Sequence, residues 1–315
     1  MWLRGLDRSG AGAQGSSQCR APGRPFCGVA QRLGSASRRL SWAICLAFGM
    51  ALASVPLASA ATPETDRQQL IEFFQKRFPG VSLDDYVYGA LIVNADGREQ
   101  YDQIMEFPPF IGEIEKGKKL WETPFRNGKT FSDCFDHAGR GVAANYPYFD
   151  EKLAKVVTFE NALNACRRSN GESEFDYADR STMGTLTAYA RSLSDGARMN
   201  IRADTVAAQA RYRAGRDLFF RRIGQLNAAC AGCHVYNAGN IMRMEVISPA
   251  LGQATHWPIF RGGEELMTFQ ARFKRCMEQM RAEPFGYNSE EWNNLEYFLS
   301  YLSNGLPLKA SVFRK

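Results

Sequence analysis

The chain has 315 residues and a formal net charge of +6 at pH 7. Residues 1–60 hold seven of its 39 basic and one of its 33 acidic side chains, so 32 of each remain beyond that point. A balanced remainder lacks the basic surface that nucleic-acid binding requires, and we expect no nucleic-acid partner.

An export signal is predicted at the start of the chain. Two arginines precede an uncharged, apolar stretch at residues 40–57, and Ala-Ser-Ala follows at 58–60. Basic residues, an apolar segment and a small-residue cleavage site are the parts of a secretory signal peptide. We therefore expect a signal peptide over 1–60, cleavage near Ala60 and Ala61, export, and no stable membrane span in the mature protein. An uncleaved membrane anchor is the alternative, and the arginine pair leaves Sec and Tat export both open.

In the mature chain, apolar residues recur at helical spacing. The stretches that show it are 70–78, 186–193, 218–226 and 292–302. Apolar residues every three to four positions predict helices that bury one face. Loops rich in Gly, Pro and Asn separate the helical stretches. The pattern predicts an all-α fold, and the 255 residues after position 60 suffice for two domains.

The sequence Cys-Ala-Gly-Cys-His at 230–234 is a C-x-x-C-H motif, which attaches c-type haem. Cys230 and Cys233 would bond to the haem vinyl groups, and His234 would bind the iron from one side. A zinc site would need more ligands than a mature chain with three histidines offers. A thioredoxin-like pair would follow a strand, whereas the preceding residues have helical spacing. The motif therefore predicts one covalently bound haem c.

Three landmarks occur twice in the mature chain, in the same order. GKKLWETPF at 117–125 resembles GRDLFFRRI at 215–223, FENALNAC before Cys166 resembles FQARFKRC before Cys276, and LTAYARSLSDG at 186–196 resembles LEYFLSYLSNG at 295–305. A tandem duplication explains the constant order and spacing. We therefore predict two tandem cytochrome c-like domains, the first over 61–200 and the second over 201–315.

The first copy lacks the haem motif. It has Cys134-Phe-Asp-His137-Ala138 where the second has Cys-Ala-Gly-Cys-His, so one thiol and the axial histidine are missing. Cys134 and Cys166 would have faced a porphyrin from opposite sides, and without the porphyrin the domain can close. We predict a haem-free first domain with a Cys134–Cys166 disulfide, a bond that an oxidising compartment favours.

Seven residues after the motif are candidates for the second iron ligand: Met242, Met244, His256, Met267, Cys276, Met277 and Met280. Methionine is the ordinary ligand of an electron carrier, whereas the repeat favours Cys276, the counterpart of Cys166. On a helix, Cys276 shares a face with Phe273, and Arg272 lies one turn before it. Arg272 would hold a thiolate or an oxyanion beside Cys276, or else pair with a haem propionate.

Several stretches resemble the A subunit of the SoxAX cytochrome of bacterial thiosulfate oxidation. They are CFDHAGRGVAANYPYFD from Cys134, FENALNAC, CAGCH, HWPIFR from His256 and RFKRCMEQMRAEPFGYNSEEWNNLEYFLSYLSNGLP from Arg272. Together they extend over essentially the whole mature chain. Because Cys134 lacks its C-x-x-C-H partners, the resemblance is to the members of the family that carry a single haem.

The resemblance implies a periplasmic L-cysteine S-thiosulfotransferase. Such an enzyme joins thiosulfate oxidatively to a cysteine of the carrier protein SoxYZ and passes two electrons through haem to c-type cytochromes, with the cytochrome SoxX as partner subunit. The resemblance also implies that Cys276 is an iron ligand carrying a persulfide and that Arg272 lines the substrate site. A simple electron-transfer cytochrome c and a thiosulfate dehydrogenase that forms tetrathionate are the alternatives.

Overall fold

Eight α-helices and seven short strands form the described part of the chain, residues 62–261, 265–310 and 312–314 of a computed structural model. The helices are α1 (Pro63–Arg77), α2 (Ala95–Glu106), α3 (Ile111–Glu122), α4 (Phe159–Ser169), α5 (Thr185–Ser192), α6 (Val206–Phe220), α7 (Phe269–Gln279) and α8 (Glu290–Leu302). The strands are β1 (Tyr148–Asp150), β2 (Lys155–Val157), β3 (Ile241–Met242), β4 (Glu245–Val246), β5 (Ile259–Arg261), β6 (Glu265–Met267) and β7 (Phe313–Arg314). The predicted signal peptide lies outside the described residues. Among those that are described, no helix is both long enough and apolar enough to cross a membrane.

Hydroxyl side chains fix where most of the helices begin. Thr62, Thr158, Thr205, Thr268 and Ser289 precede α1, α4, α6, α7 and α8, and each accepts a hydrogen bond from a backbone N–H of the first turn. Each cap satisfies a donor that has no partner within the helix. The apolar stretches predicted to be helical at 186–193 and 292–302 lie largely within α5 and α8.

Each half of the chain contains a pair of crossing helices, α3 with α5 and α6 with α8. A methyl group added at Gly117 would lie 2.2 Å from the carbonyl oxygen of Thr185, and one at Gly215 would lie 1.9 Å from that of Asn294. Both crossings therefore bring backbone against backbone, which requires glycine. Gly117 and Gly215 open the first repeated stretch, and Thr185 and Asn294 each precede the first leucine of the third. The duplication predicted from sequence is thus matched by equivalent contacts.

Three small sheets, not predicted from the sequence, interrupt the helices. β1 and β2 form an antiparallel hairpin, as do β3 and β4, and β5 lies between antiparallel β6 and parallel β7. Strands of two or three residues are too short to show an alternation of apolar and polar side chains. The fold is therefore rich in helix but not wholly helical.

The helix predicted over 218–226 is wrong beyond Phe220, where α6 ends. Ile223 pairs with Ala228 across a turn in which Gly224 and Asn227 have φ angles of +69° and +47°. Residues in the left-handed region cannot continue a right-handed helix. The segment that leads into the C-x-x-C-H motif is consequently a looped turn.

Aromatic rings fill the interior of the first half. We call this group the aromatic cluster: Trp121, Phe125, Phe131, Phe135, Tyr146 and Phe159. Its ring centroids lie 5.0–5.7 Å apart between Trp121 and Phe131, Phe125 and Phe131, Phe135 and Phe159, and Tyr146 and Phe159. Distances of this size are those of packed aromatic pairs. Large rings therefore occupy the space between α3, α4 and α5.

The N-terminal segment, residues 62–115, packs against the second half of the chain. The Arg67 guanidinium donates to the carbonyl oxygen of Asn304 at 2.8 Å, and Arg77 Nε donates to that of Ala238 at 2.8 Å. Between α1 and α2, a 3₁₀ stretch at Asp84–Val93 turns at Gly89, whose φ is +59°. These contacts bring the start of the described chain close to the C-x-x-C-H motif.

Candidate haem and thiol site

A cavity of about 420 Å³ lies in the second half of the chain. Its walls are largely apolar and include Leu218, Phe219, Trp257, Phe269, Phe273 and Leu299. Ile223 and Leu226 of the looped turn also line it, so that turn contributes apolar surface although it is not helical. An apolar cavity with a few convergent polar groups is the usual form of a small-molecule or cofactor site.

The C-x-x-C-H motif forms one side of the cavity. Its last three residues begin a π-helical turn, Gly232–Tyr236, and Cys230, Cys233 and His234 all line the space. Burial raises the pKa of Cys230 to about 12 and also raises the pKa of Cys233. Both groups are therefore neutral thiols at pH 7, as expected of sulfur atoms in an apolar environment.

His234 is held in the form that binds metal. Burial lowers its pKa to about 4, so the imidazole is neutral at pH 7. Its Nδ1 lies 2.9 Å from the carbonyl oxygen of Ser248, which can only accept a hydrogen bond. The proton therefore lies on Nδ1, and Nε2 keeps the lone pair that a metal requires.

Helix α7 forms another wall of the cavity and presents Arg272 and Cys276 to it, and Met280, the residue directly after the helix, also lines it. Phe269 and Phe273 line the cavity from the same helix, so the face predicted from helical spacing is the one turned inward. Cys276 is a free, partly buried thiol. Besides burial, Cys276 raises the pKa of Cys233, whereas the positive charge of Arg272 lowers that pKa. The two α7 side chains therefore lie close enough to the motif to influence Cys233.

The other candidates for the second iron ligand divide into two groups. Met242, His256, Met277 and Met280 line the cavity together with Cys276, whereas Met244 and Met267 are absent from its lining. Met244 is 97% exposed, and Met267 is fully buried elsewhere. The geometry thus removes two of the seven candidates.

The residues present fit a covalently attached haem. Two thiols and an imidazole with its lone pair directed by a hydrogen bond converge on an apolar cavity, and a cysteine lines the same space from α7. Thiol and imidazole donors are the set that c-type haem uses. Cys230 and Cys233 would hold the porphyrin, His234 would bind the iron, and Cys276 would face it.

The corresponding region of the first half is closed. A disulfide joins Cys134 to Cys166, whose Cα atoms are 5.8 Å apart. His137 and Ala138 are exposed, and the aromatic cluster occupies the space next to them. Ala162 stands on α4 at the position that Arg272 has on α7. Of the five polar groups Cys230, Cys233, His234, Arg272 and Cys276, the described first half has equivalents of Cys230 and Cys276 alone, namely Cys134 and Cys166.

Four residues at the site were missed in the sequence. Gly89 and Ala90 of the N-terminal segment line the cavity, and so do Ser248 and Gln253, which contact His234. They come from two segments without a helical period or a known motif. The glycine at position 89, whose φ is +59° in the structure, is the one local sequence signal, since glycine often marks a close approach of backbone.

Comparisons with known proteins found a matching family model, similar sequences and a similar solved structure. A family model described as "SoxA/TsdA, cytochrome c domain" matches residues 116–199 and 214–308. Two proteins named L-cysteine S-thiosulfotransferase subunit SoxA are similar to this chain. The one from Allochromatium vinosum is 40% identical over 84% of this chain and 96% of its own length. The one from Chlorobaculum tepidum is 38% identical, with the same shares covered. A solved structure, "Crystal structure of SoxXA from P. pantotrophus", has a TM-score of 0.60 and 27% identity, covering 66% of this chain and 79% of that one.

Proposed function

The chain belongs to the SoxA/TsdA cytochrome c family, and we propose that it is the L-cysteine S-thiosulfotransferase subunit of a thiosulfate-oxidising system. It joins thiosulfate to a cysteine of the carrier protein SoxYZ. The observation that carries the proposal is that one cavity contains the C-x-x-C-H side chains, the free thiol of Cys276 and the guanidinium of Arg272. The residues that would attach the cofactor, the thiol and the anion-binding guanidinium therefore line the same space.

Each group in the cavity has a separate role. Cys230 and Cys233 would attach haem c, and His234 and Cys276 would bind its iron. The chain holds one haem, because the first domain keeps a disulfide and the aromatic cluster where the second has a cavity. The domains extend over 61–200 and 201–315.

The reaction is an oxidation because both sulfur atoms that it joins are nucleophiles. A carrier thiol and thiosulfate give a thiocysteine S-sulfonate, R–S–S–SO₃⁻, with release of one proton and two electrons. The S–H bond of the carrier breaks, and a bond forms between that sulfur and the outer sulfur of thiosulfate. A bound haem would supply the electron acceptor, and c-type cytochromes would take up the two electrons.

Arg272 orients the anionic substrate. Thiosulfate carries two negative charges, and a guanidinium in a largely apolar cavity attracts an anion more strongly than one in bulk water. The planar guanidinium also offers paired N–H donors to the sulfonate oxygens. Arg272 is therefore expected to act on thiosulfate binding, whereas Cys276 acts on the sulfur chemistry and carries the persulfide that the family resemblance implies.

The partners follow from the same family relationship. We infer a heterodimer with the cytochrome SoxX, since the similar solved structure is of a SoxXA complex. The carrier SoxYZ is the protein substrate. The location is the periplasm, where the predicted signal peptide would deliver the chain and where a disulfide persists.

Cys276→Met tests the proposal directly. The variant is expected to keep covalent haem, because the C-x-x-C-H motif is intact, and to lose thiosulfate conjugation to the carrier. Conjugation is measured by the intact mass of SoxYZ after incubation with thiosulfate and an oxidised cytochrome c. Conjugation at the wild-type rate would make Cys276 incidental and favour a simple electron carrier.

Arg272→Ala is expected to keep haem and to raise the KM for thiosulfate more than it lowers kcat. Lys274→Ala is the matched control, because Lys274 lies on the same helix, pairs with Glu278 and does not line the cavity. An equal effect of both variants would show a general loss of positive charge. Formation of tetrathionate by the isolated protein without any carrier would instead favour a thiosulfate dehydrogenase.

A further inference from the structure

The loop at residues 248–253 folds back on His234, and we call it the proximal loop. Ala250 donates its backbone N–H to the carbonyl oxygen of His234 at 2.7 Å. His234 Nδ1 lies 2.9 Å from the carbonyl oxygen of Ser248 and 2.6 Å from the amide Nε2 position of Gln253. The imidazole is therefore in contact with both ends of one short loop.

The proton on Nδ1 decides how the Gln253 amide is arranged. Metal binding through Nε2 requires that Nδ1 carry the proton, and an N–H group needs acceptors. The two ends of a carboxamide exchange places by a half-turn, and the hydrogen-bond network decides which end faces a neighbour. With its oxygen toward Nδ1, Gln253 accepts from His234. The Ser248 hydroxyl, 3.0 Å from the same end of the amide, then donates to that oxygen.

We propose that Gln253 is a positioning residue for His234, through an amide oxygen that shares the Nδ1 proton with the Ser248 carbonyl. Two acceptors on one N–H fix the tautomer and the plane of the ring. They also increase the electron density at Nε2, which stabilises oxidised iron relative to reduced iron. Gln253 therefore lowers the reduction potential of the haem iron bound by His234. The inference rests on the proposed attachment of haem at Cys230, Cys233 and His234.

The N-terminal segment packs directly against the proximal loop. A methyl group added at Gly252 would lie 2.3 Å from the carbonyl oxygen of Tyr86, and one at Gly89 would lie 3.6 Å from Ser248 Cβ. Trp257 Nε1 donates to the carbonyl oxygen of Gln253 at 2.5 Å. The backbone of Gln253 is thus held in place while its side chain reaches the imidazole. This arrangement depends on residues that precede both regions matched by the family model.

Two substitutions test the role of the amide in opposite directions. Gln253→Leu removes the acceptor at similar volume and is expected to raise the potential. Gln253→Glu supplies a stronger acceptor and is expected to lower it. Potentials are measured by spectroelectrochemical titration of the purified, haem-loaded protein in complex with its cytochrome partner. Gln68→Leu makes the same chemical change on the exposed side of α1 and is expected to cause no shift.

Each outcome bears on the proposal. Equal potentials in the wild type and Gln253→Leu, or shifts of the same sign in both Gln253 variants, overturn it. Where the leucine variant does not accumulate, the glutamate variant decides, and a potential at or above the wild-type value overturns the proposal. A wild-type protein without covalent haem would contradict the proposed cofactor instead, so the two failures are distinguishable.

Discussion

The two halves of the described chain share a scaffold and differ in what fills it. In each, a short hairpin leads to a threonine-capped helix whose eighth residue is a cysteine, Cys166 on α4 and Cys276 on α7. The first half contains the aromatic cluster and a disulfide. The second contains a cavity of about 420 Å³ and three free thiols.

Few substitutions distinguish the residues proposed to bind haem and substrate from their counterparts in the first half. Ala138 stands where the second half has His234, and Ala162 stands where it has Arg272. The helix pairs and the caps are unaffected by those changes, because they depend on Gly117, Gly215 and the threonines before α4 and α7. Backbone scaffold and cofactor chemistry can therefore change independently after a duplication.

The largest expected effect concerns haem. Cys230→Ala/Cys233→Ala removes both attachment thiols and is expected to abolish covalent haem, whereas Cys134→Ala/Cys166→Ala should keep all of it. Intact mass of the denatured protein measures this, with one haem expected in the wild type. Two haems per chain, or loss of haem in the Cys134→Ala/Cys166→Ala variant, would contradict the proposal that the second half alone binds haem.

The disulfide gives the next largest effect. It closes a loop across a sequence separation of 32 residues, and losing such a constraint destabilises a fold by about 4 kcal/mol. We expect Cys134→Ser/Cys166→Ser to lower the free energy of unfolding by that amount in urea titrations. Reduction of the wild-type bond is the control and should give a similar loss. An unchanged unfolding midpoint would assign the stability of the first half to the aromatic cluster.

The glycine crossings give a smaller effect that compares the halves directly. Gly117→Ala and Gly215→Ala each place a methyl group against a carbonyl oxygen, and such overpacking costs about 1–3 kcal/mol. Thermal unfolding measures it. The variant at Gly215 should also retain less haem, because α6 and α8 both line the cavity. Gly112→Ala is the control on α3, where an added methyl group meets no neighbour. Equal stability of all three variants would contradict the close crossings.

Which polar residues line the cavity was largely predictable from sequence. Cys230, Cys233 and His234 form a motif whose spacing is set by the cofactor. Cys276 and Arg272 were found by comparing the repeats and by helical spacing, and the structure places both in the cavity. These signals are local, since each is contained within a few helical turns.

Contacts between distant segments could not be predicted in this way. Gly89 and Ser248 are far apart in sequence, and they meet where the 3₁₀ stretch at Asp84–Val93 packs against the segment around residues 248–255. The aromatic cluster likewise draws its rings from several helices and turns, so no single window of sequence contains it. The strands were missed because two or three residues carry no period.

The contact between Arg67 and Asn304 joins positions 237 residues apart. Arg67 donates to the backbone carbonyl oxygen of Asn304 and not to its side chain. A substitution at position 304 therefore keeps this acceptor, whereas a substitution of Arg67 removes the donors that tie the N-terminal segment, which carries Gly89 and Ala90 to the cavity wall, to the end of α8.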